Sequence, residues 1–208
     1  MLRRTTLMMA ALLFSFSQLP AEVIFQDNFN TQNGGNYGLG ITTLSGWIVT
    51  GNVDLKGAGL NMTVHDFYPG NGLYLDLDGS NIEGPIGSNA TIETEQLFGP
   101  DTYQLTFFLG VNPDIWFEGC TTCGLDNTLT VVLGNFTRTY NATAAGQNIT
   151  AIFTTTGGAL SFANGGPVDA TGSILDNVVL STVPEPASMA LTGGALLAFV
   201  LLMRRRRV

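Results

Sequence analysis

Two pairs of acids have the spacing that chemistry on a β-strand would need: Asp76 with Asp78, and Glu93 with Glu95. Residues two apart on a strand share a face, so each pair can share a proton or a metal ion. A glycosidase needs two carboxylates about 5 to 9.5 Å apart across the scissile bond. Both pairs, however, sit in alternating stretches. Asp76 and Asp78 interleave with Leu73, Leu75 and Leu77, so the pattern predicts solvated acids on an outer face. The same holds for Glu93 and Glu95. His65 is the only histidine, which argues against zinc. A Ser-His-Asp triad would lack any Gly-x-Ser-x-Gly turn to place it.

Cys120 and Cys123 are the only cysteines. In a cytosolic chain their spacing would suggest a redox or metal site. Structural zinc needs four ligands, and a thioredoxin-like role needs a βαβ setting that this sequence does not suggest. In an exported protein the default is a disulfide, here a short local staple. The staple belongs to a loop that begins Asn112-Pro113-Asp114-Ile115-Trp116-Phe117-Glu118-Gly119. Trp116 and Phe117 fall outside the clean alternating runs. Sugars stack their apolar faces on aromatic rings and need a few well-placed polar groups. Asn112, Asp114, Trp116 and Glu118 are therefore the ligand-binding candidates. The other reading of Trp116 is a plug at the end of the fold, given how much surface a tryptophan buries.

The elements that must hold these residues read as strands. Tyr103, Leu105, Phe107 and Leu109 alternate with Gln104, Thr106, Phe108 and Gly110, and Leu129, Val131 and Leu133 alternate likewise; period two puts one set of each on a buried face. Further strands are expected at Val23–Gln26, Trp47–Thr50, Val53–Lys56, Thr91–Gln96, Thr137–Asn141, Asn148–Thr154, Leu160–Ala163 and Ile174–Leu180. Trp47, after Gly46, belongs in the core, and the run from His65 to Gly72, with its Pro-Gly and Asn-Gly pairs, reads as a loop. Glycine, Asn and Thr punctuate the chain at sandwich-like intervals. The fold class is all-β, an antiparallel sandwich over residues 22–182, with Thr182 to Pro186 as a linker.

Both ends read as addresses. Arg3-Arg4, an apolar run from Leu7 to Phe16, and Ala21 make a signal peptide over residues 1–21, helical in its apolar part. At the other end come Val183-Pro184-Glu185-Pro186, an uncharged apolar run from Ala187 to Met203, then Arg204, Arg205, Arg206 and Arg207. A span of about 17 residues can just cross a bilayer as a helix, and the arginines would hold its end in the cytoplasm. Residues 183–208 resemble the PEP-CTERM sorting domain of Gram-negative bacteria. The resemblance implies export, a transient inner-membrane anchor and cleavage near the motif by an exosortase. The product would reach the cell surface or an exopolysaccharide and biofilm matrix. Without the addresses, Glu22–Glu185 holds all sixteen acids against two bases, Lys56 and Arg138, a net charge of −14. Such a body repels nucleic acid and attracts divalent cations.

Four further segments occur in order: Gly46-Trp47 with Gly51-Asn52-Val53-Asp54-Leu55; Gly72-Leu73-Tyr74-Leu75-Asp76-Leu77-Asp78-Gly79; Gly99-Pro100 before Tyr103, Leu105 and Phe107; and Leu175-Asp176-Asn177-Val178. Together they resemble galactose-binding-like jelly rolls, including DUF642-type domains and carbohydrate-binding modules. The resemblance implies a jelly roll, sugar binding without catalysis, and a structural calcium near the two chain ends. The matching positions are Asp27, Asn30 and Asp176. A purely adhesive matrix protein and an extracellular hydrolase are the alternatives. Asn61, Asn89, Asn135, Asn141 and Asn148 each open an Asn-x-Thr sequence, as expected by composition in a Thr-rich β-protein.

Overall fold

The computed structural model describes residues 21–57, 66–80, 88–113 and 127–184. Twelve strands run in order: β1 (Val23–Asp27), β2 (Gly38–Ile41), β3 (Trp47–Thr50), β4 (Val53–Gly57), β5 (Leu73–Asp76), β6 (Thr91–Phe98), β7 (Asp101–Val111), β8 (Thr128–Leu133), β9 (Phe136–Asn141), β10 (Gln147–Thr155), β11 (Gly158–Asn164) and β12 (Ser173–Thr182). A single 3-10 turn, Gln32–Gly35, separates β1 from β2.

One sheet has the order β10-β7-β12-β5-β4-β2, with β1 added beside β12; the other has the order β3-β6-β11-β8-β9. Every pairing is antiparallel. The last eight strands form a jelly roll by connectivity alone: β10-β7-β12-β5 faces β6-β11-β8-β9, the two interlocked Greek keys of that fold. Strands β2, β3 and β4 extend its edges, and β1 lies beside β12.

The sequence explains the packing. Leu105, Phe107 and Leu109 of β7 meet Leu129, Val131 and Leu133 of β8, all essentially without solvent contact. Each such side chain contributes about 1.5 to 3 kcal/mol on full burial. Trp47 is in this core as expected, with Phe25, Phe29 and Phe162 against its indole. Strand β2 was not visible in the sequence, because Gly-Leu-Gly-Ile has too little alternation to read. The linker begins later than expected, since Thr182 still donates to Glu22 and Val183 to Thr102.

One expectation fails clearly. Asp76 and Asp78 are not solvated; both have 0% exposure. The β4–β5 corner is covered on both faces, so alternation there no longer sorts inside from outside. Tyr74, which shares the face of Asp76, is also fully buried, its hydroxyl bonded to Phe67 N–H and Asp66 under the 66–72 turn. Glu93 and Glu95 on β6 are exposed, as the pattern predicts.

Among the described residues no helix is long and apolar enough to cross a membrane. The signal segment up to residue 20, the apolar run 187–203 and Arg204, Arg205, Arg206 and Arg207 lie outside the described residues, as do Glu185, Pro186 and His65.

Candidate functional site

Asp54 and Asp76 stand directly opposite each other on β4 and β5. Lys56 sits beside them, its Nζ 3.3 Å from Asp76 and 3.8 Å from Asp54. All three are buried. The carboxylates are richly supplied with donors. Asp54 accepts from Gly40 N–H, Ser80 N–H and Ser80 Oγ–H at 2.6 to 2.8 Å. Asp76 accepts from Asp78 N–H, Gly172 N–H and Asn112 Nδ2. Asp78 accepts from Ser88 N–H, Asp169 N–H and Ala170 N–H. Burial still prevails: it pushes Asp76 up to about 6 against the pull of Lys56, and raises Asp78 as well.

These three acids form a hub that ties down the loops at one end of the sandwich. The segment 169–172 is its main strap. Ala170 holds a positive φ of 61°, a conformation that costs an L-residue about 1 to 2 kcal/mol, and the Asp78 bonds keep it there. Gly172 has to be glycine for space, since a Cβ would lie 2.4 Å from Asp78 N and 2.6 Å from Asp76 Oδ1.

The strap in turn grips Asn112 and Asn127, which flank the segment 113–126. On the leading side Asn112 donates its backbone N–H to Gly172 O and its Nδ2 to Asp76 and Ala170 O. On the trailing side Asn127 Nδ2 donates to Thr171 O. Asn112 has 0% exposure. Its side chain is engaged with Asp76 and Ala170 O, at the start of the segment that carries the other ligand-binding candidates. Asp114, Trp116, Glu118, Cys120 and Cys123 lie outside the described residues.

A second acidic region lies where β1 and β5 share the edge of β12. The pairing register shifts between Asp176 and Val179, with Asn177 at a φ of 50°. This is a β-bulge, and Asn accepts that conformation more readily than most residues. Asp176 is fully buried. Among the described residues its oxygens accept only from Asn177, through N–H and Nδ2. Burial pushes it up to about 7, the Asn177 bond opposing and the Asp27 charge adding to the rise. Asp27 accepts from Phe29 N–H, Gln32 Nε2 and Trp47 Nε1. An open cavity of about 300 Å³ is lined by Asp27 together with Gln26, Asn28, Thr31, Asn177, Val178 and Val179; Asp176 does not line it.

Calcium takes six to eight oxygens, with carboxylates preferred. Asp27 and Asp176 fit that preference: two acids interact and neither base of the body is bonded to them. Asn30 is committed elsewhere, its Oδ1 accepting from Leu73 N–H at 2.7 Å. Among the described residues no three His, Cys, Asp or Glu side chains gather into a metal-sized group. Amide and carbonyl oxygens would have to complete the shell.

The sequence missed Asp54, Lys56, Gln32 and Asn127. One signal was present: Asp54 and Lys56 are two apart on one strand, and Asp76 and Asp78 are two apart on the next.

No family model matches the chain, and no curated protein matches it. Solved structures with a similar shape include the K1 cleaved adhesin domain of Lys-gingipain from Porphyromonas gingivalis W83. It is 11% identical, with a TM-score of 0.49 over 76% of this chain and 98% of that one. TmCBM61, solved with β-1,4-galactotriose, is 15% identical, with a TM-score of 0.43 over 67% and 90%. The CBM22-1 xylan-binding domain of Paenibacillus barcinonensis Xyn10C is 12% identical, with a TM-score of 0.41 over 80% and 97%. The jelly roll itself rests on the strand order given above.

Proposed function

We propose that this chain is an exported surface or matrix protein, sorted by an exosortase, whose jelly roll binds polysaccharide without catalysis. One observation carries the binding reading: Asn112 and Asn127, which flank the segment 113–126, are clamped to one strap that is itself held by Asp76 and Asp78. A ligand loop fixed at both roots loses less entropy on binding. The acids that might have cut a glycosidic bond are spent on this clamp, which supports binding over hydrolysis. Residues 183–186, the apolar run and the four arginines support sorting at the inner membrane and delivery to the cell surface or a biofilm matrix. Calcium is proposed at Asp27 and Asp176, where it would neutralise two acids and hold β1 to the β12 bulge.

The test is a glycan array probed with the unit Glu22–Val183, with calcium and again with chelator. Selective binding that Trp116→Ala abolishes, at an unchanged melting temperature, is the expected result. A folded sample that binds no glycan in either condition overturns the polysaccharide reading and favours a purely adhesive role.

A further inference from the structure

The free sheet edges are not protected alike; β1, for one, has five residues and pairs with β12 through a register shift. Natural sandwiches blunt free edges with short strands, bulges, charge or proline. Edge strands β2 and β3 have four residues each, and β2 pairs with a register shift. Edge strand β9 carries the exposed Arg138. Edge strand β10 has none of these devices. It runs nine residues, Gln147-Asn-Ile-Thr-Ala-Ile-Phe-Thr-Thr155, with no charge and no proline, and pairs with β7 in unbroken register over its whole length. Ile152 stands 62% exposed on its outer face. Among the described residues no strand pairs with its far side.

The charge map points the same way. The sequence has no acid at all from 127 to 168, the stretch that supplies β8, β9, β10 and β11, although Glu22–Glu185 as a whole carries −14. Two like-charged copies repel each other over most of their surfaces. The side that bears β10 is where a second copy can approach at least cost.

We propose that the free edge of β10 is a self-association surface, pairing antiparallel with β10 of a second copy of this chain. A two-fold axis through Ala151 sets Ile149 against Phe153 and Thr150 against Ile152 of the other copy. These are uncharged pairs of β-branched and aromatic residues, the kind that stabilise cross-strand contacts. The interface is isologous and closed, so it yields a dimer and not a fibre. Sheet β10-β7-β12-β5-β4-β2 would continue across the axis. The inference is independent of the sugar-binding reading: it needs no ligand and uses none of the loop residues.

Sedimentation velocity over a concentration series of the unit Glu22–Val183, whose core closes within itself, tests the surface. The expected result is a concentration-dependent dimer. Ile152→Asp places two like charges across the axis and should weaken that dimer at least about tenfold. Ile152→Lys is a second charge on the same edge, and should do likewise. Leu97→Asp, on the exposed face of β6 in the other sheet, should leave the dimer intact. Melting temperatures of the three variants check that each is folded. A wild type that stays monomeric up to about 1 mM overturns the proposal, as does a dimer that survives both Ile152 changes or is lost with Leu97→Asp.

Discussion

The molecule holds two groups of acids, the buried Asp54, Asp76 and Asp78 and the pair of buried Asp176 with half-buried Asp27, and it treats them differently. At the loop end, Asp54 and Asp76 share Lys56, and among the described residues Asp54, Asp76 and Asp78 accept nine hydrogen bonds. At the β1–β12 edge, Asp176 takes, among the described residues, only what its own neighbour Asn177 offers, and it faces the charge of Asp27. A carboxylate surrounded by donors is a fastener. One left short of them beside another acid is a vacancy for a proton or a cation. Burial does not make this distinction, since Asp54, Asp76 and Asp176 are equally inaccessible.

The largest expected effect comes from breaking the fastener. Asp76→Ala removes the nearer of the two carboxylates beside Lys56 and takes an acceptor from Asp78 N–H, Gly172 N–H and Asn112 Nδ2. Removing one partner from such a buried set costs about 3 to 5 kcal/mol. Urea unfolding at neutral pH measures it. A loss under about 1 kcal/mol would mean that water replaces these bonds and that the hub is not what holds the loops.

The edge pair should respond to ions. In the absence of metal, the folded state holds the Asp176 proton more tightly than the unfolded chain does. Stability from this group is therefore full below the ordinary aspartate value of about 4 and is lost as pH rises toward about 7. Asp176→Asn removes that loss, so the variant should be the more stable protein at pH 8 in chelator. Calcium reverses the order. At a hundredfold excess over its dissociation constant it adds about 2.7 kcal/mol to the wild type, and it should add little to Asp176→Asn. Thermal melts of both proteins, with calcium and with chelator, decide the matter. Equal calcium responses would move the ion away from Asp176.

A smaller effect connects the hub to the loop it holds. Asn112→Ala leaves Asp76 and Ala170 O each short of a donor, at a cost of about 1 to 3 kcal/mol. Because it frees one end of the segment 113–126, it should also weaken glycan binding, whereas Asp176→Asn in chelator should not. Isothermal titration with a glycan from the array separates the two. Unchanged binding by Asn112→Ala would show that the clamp stabilises the fold without shaping the loop.

Most of the fold was legible because most of its strands have one wet face. In β7, β8, β10 and β11 the alternation of the sequence and the burial of the structure agree nearly residue by residue, and Tyr103 to Leu109 is the clearest case. Legibility stopped where that asymmetry stopped. At β5 both sets are buried, so Leu73-Tyr74-Leu75-Asp76 obeys the period and misleads about its meaning. The bonds of Asn112 could not be read either, since its acceptor Ala170 O arrives only with the return of the 169–172 strap, almost 60 residues later. Gln32 could not be read at all, since its partners Asp27 and Ser45 meet it only through the turn that follows β1. Asp27 and Asp176 were paired through family likeness; their separation along the chain offers no local cue.

The smallest prediction is the control for the whole contrast. Glu93 and Glu95 share the two-residue spacing of Asp76 and Asp78, yet they stand exposed on β6. Surface substitutions away from special features usually stay within about 0.5 kcal/mol. Glu93→Gln and Glu95→Gln should each leave the unfolding free energy inside that range, with a slight gain at low salt as the body loses one of its many negative charges. Identical spacing would then give opposite energetics, decided only by whether the second face of the strand is covered. A loss of 2 kcal/mol or so from either change would put β6 in contact with groups outside the described residues, and the outer face of that sheet would have to be counted as a third buried acidic region.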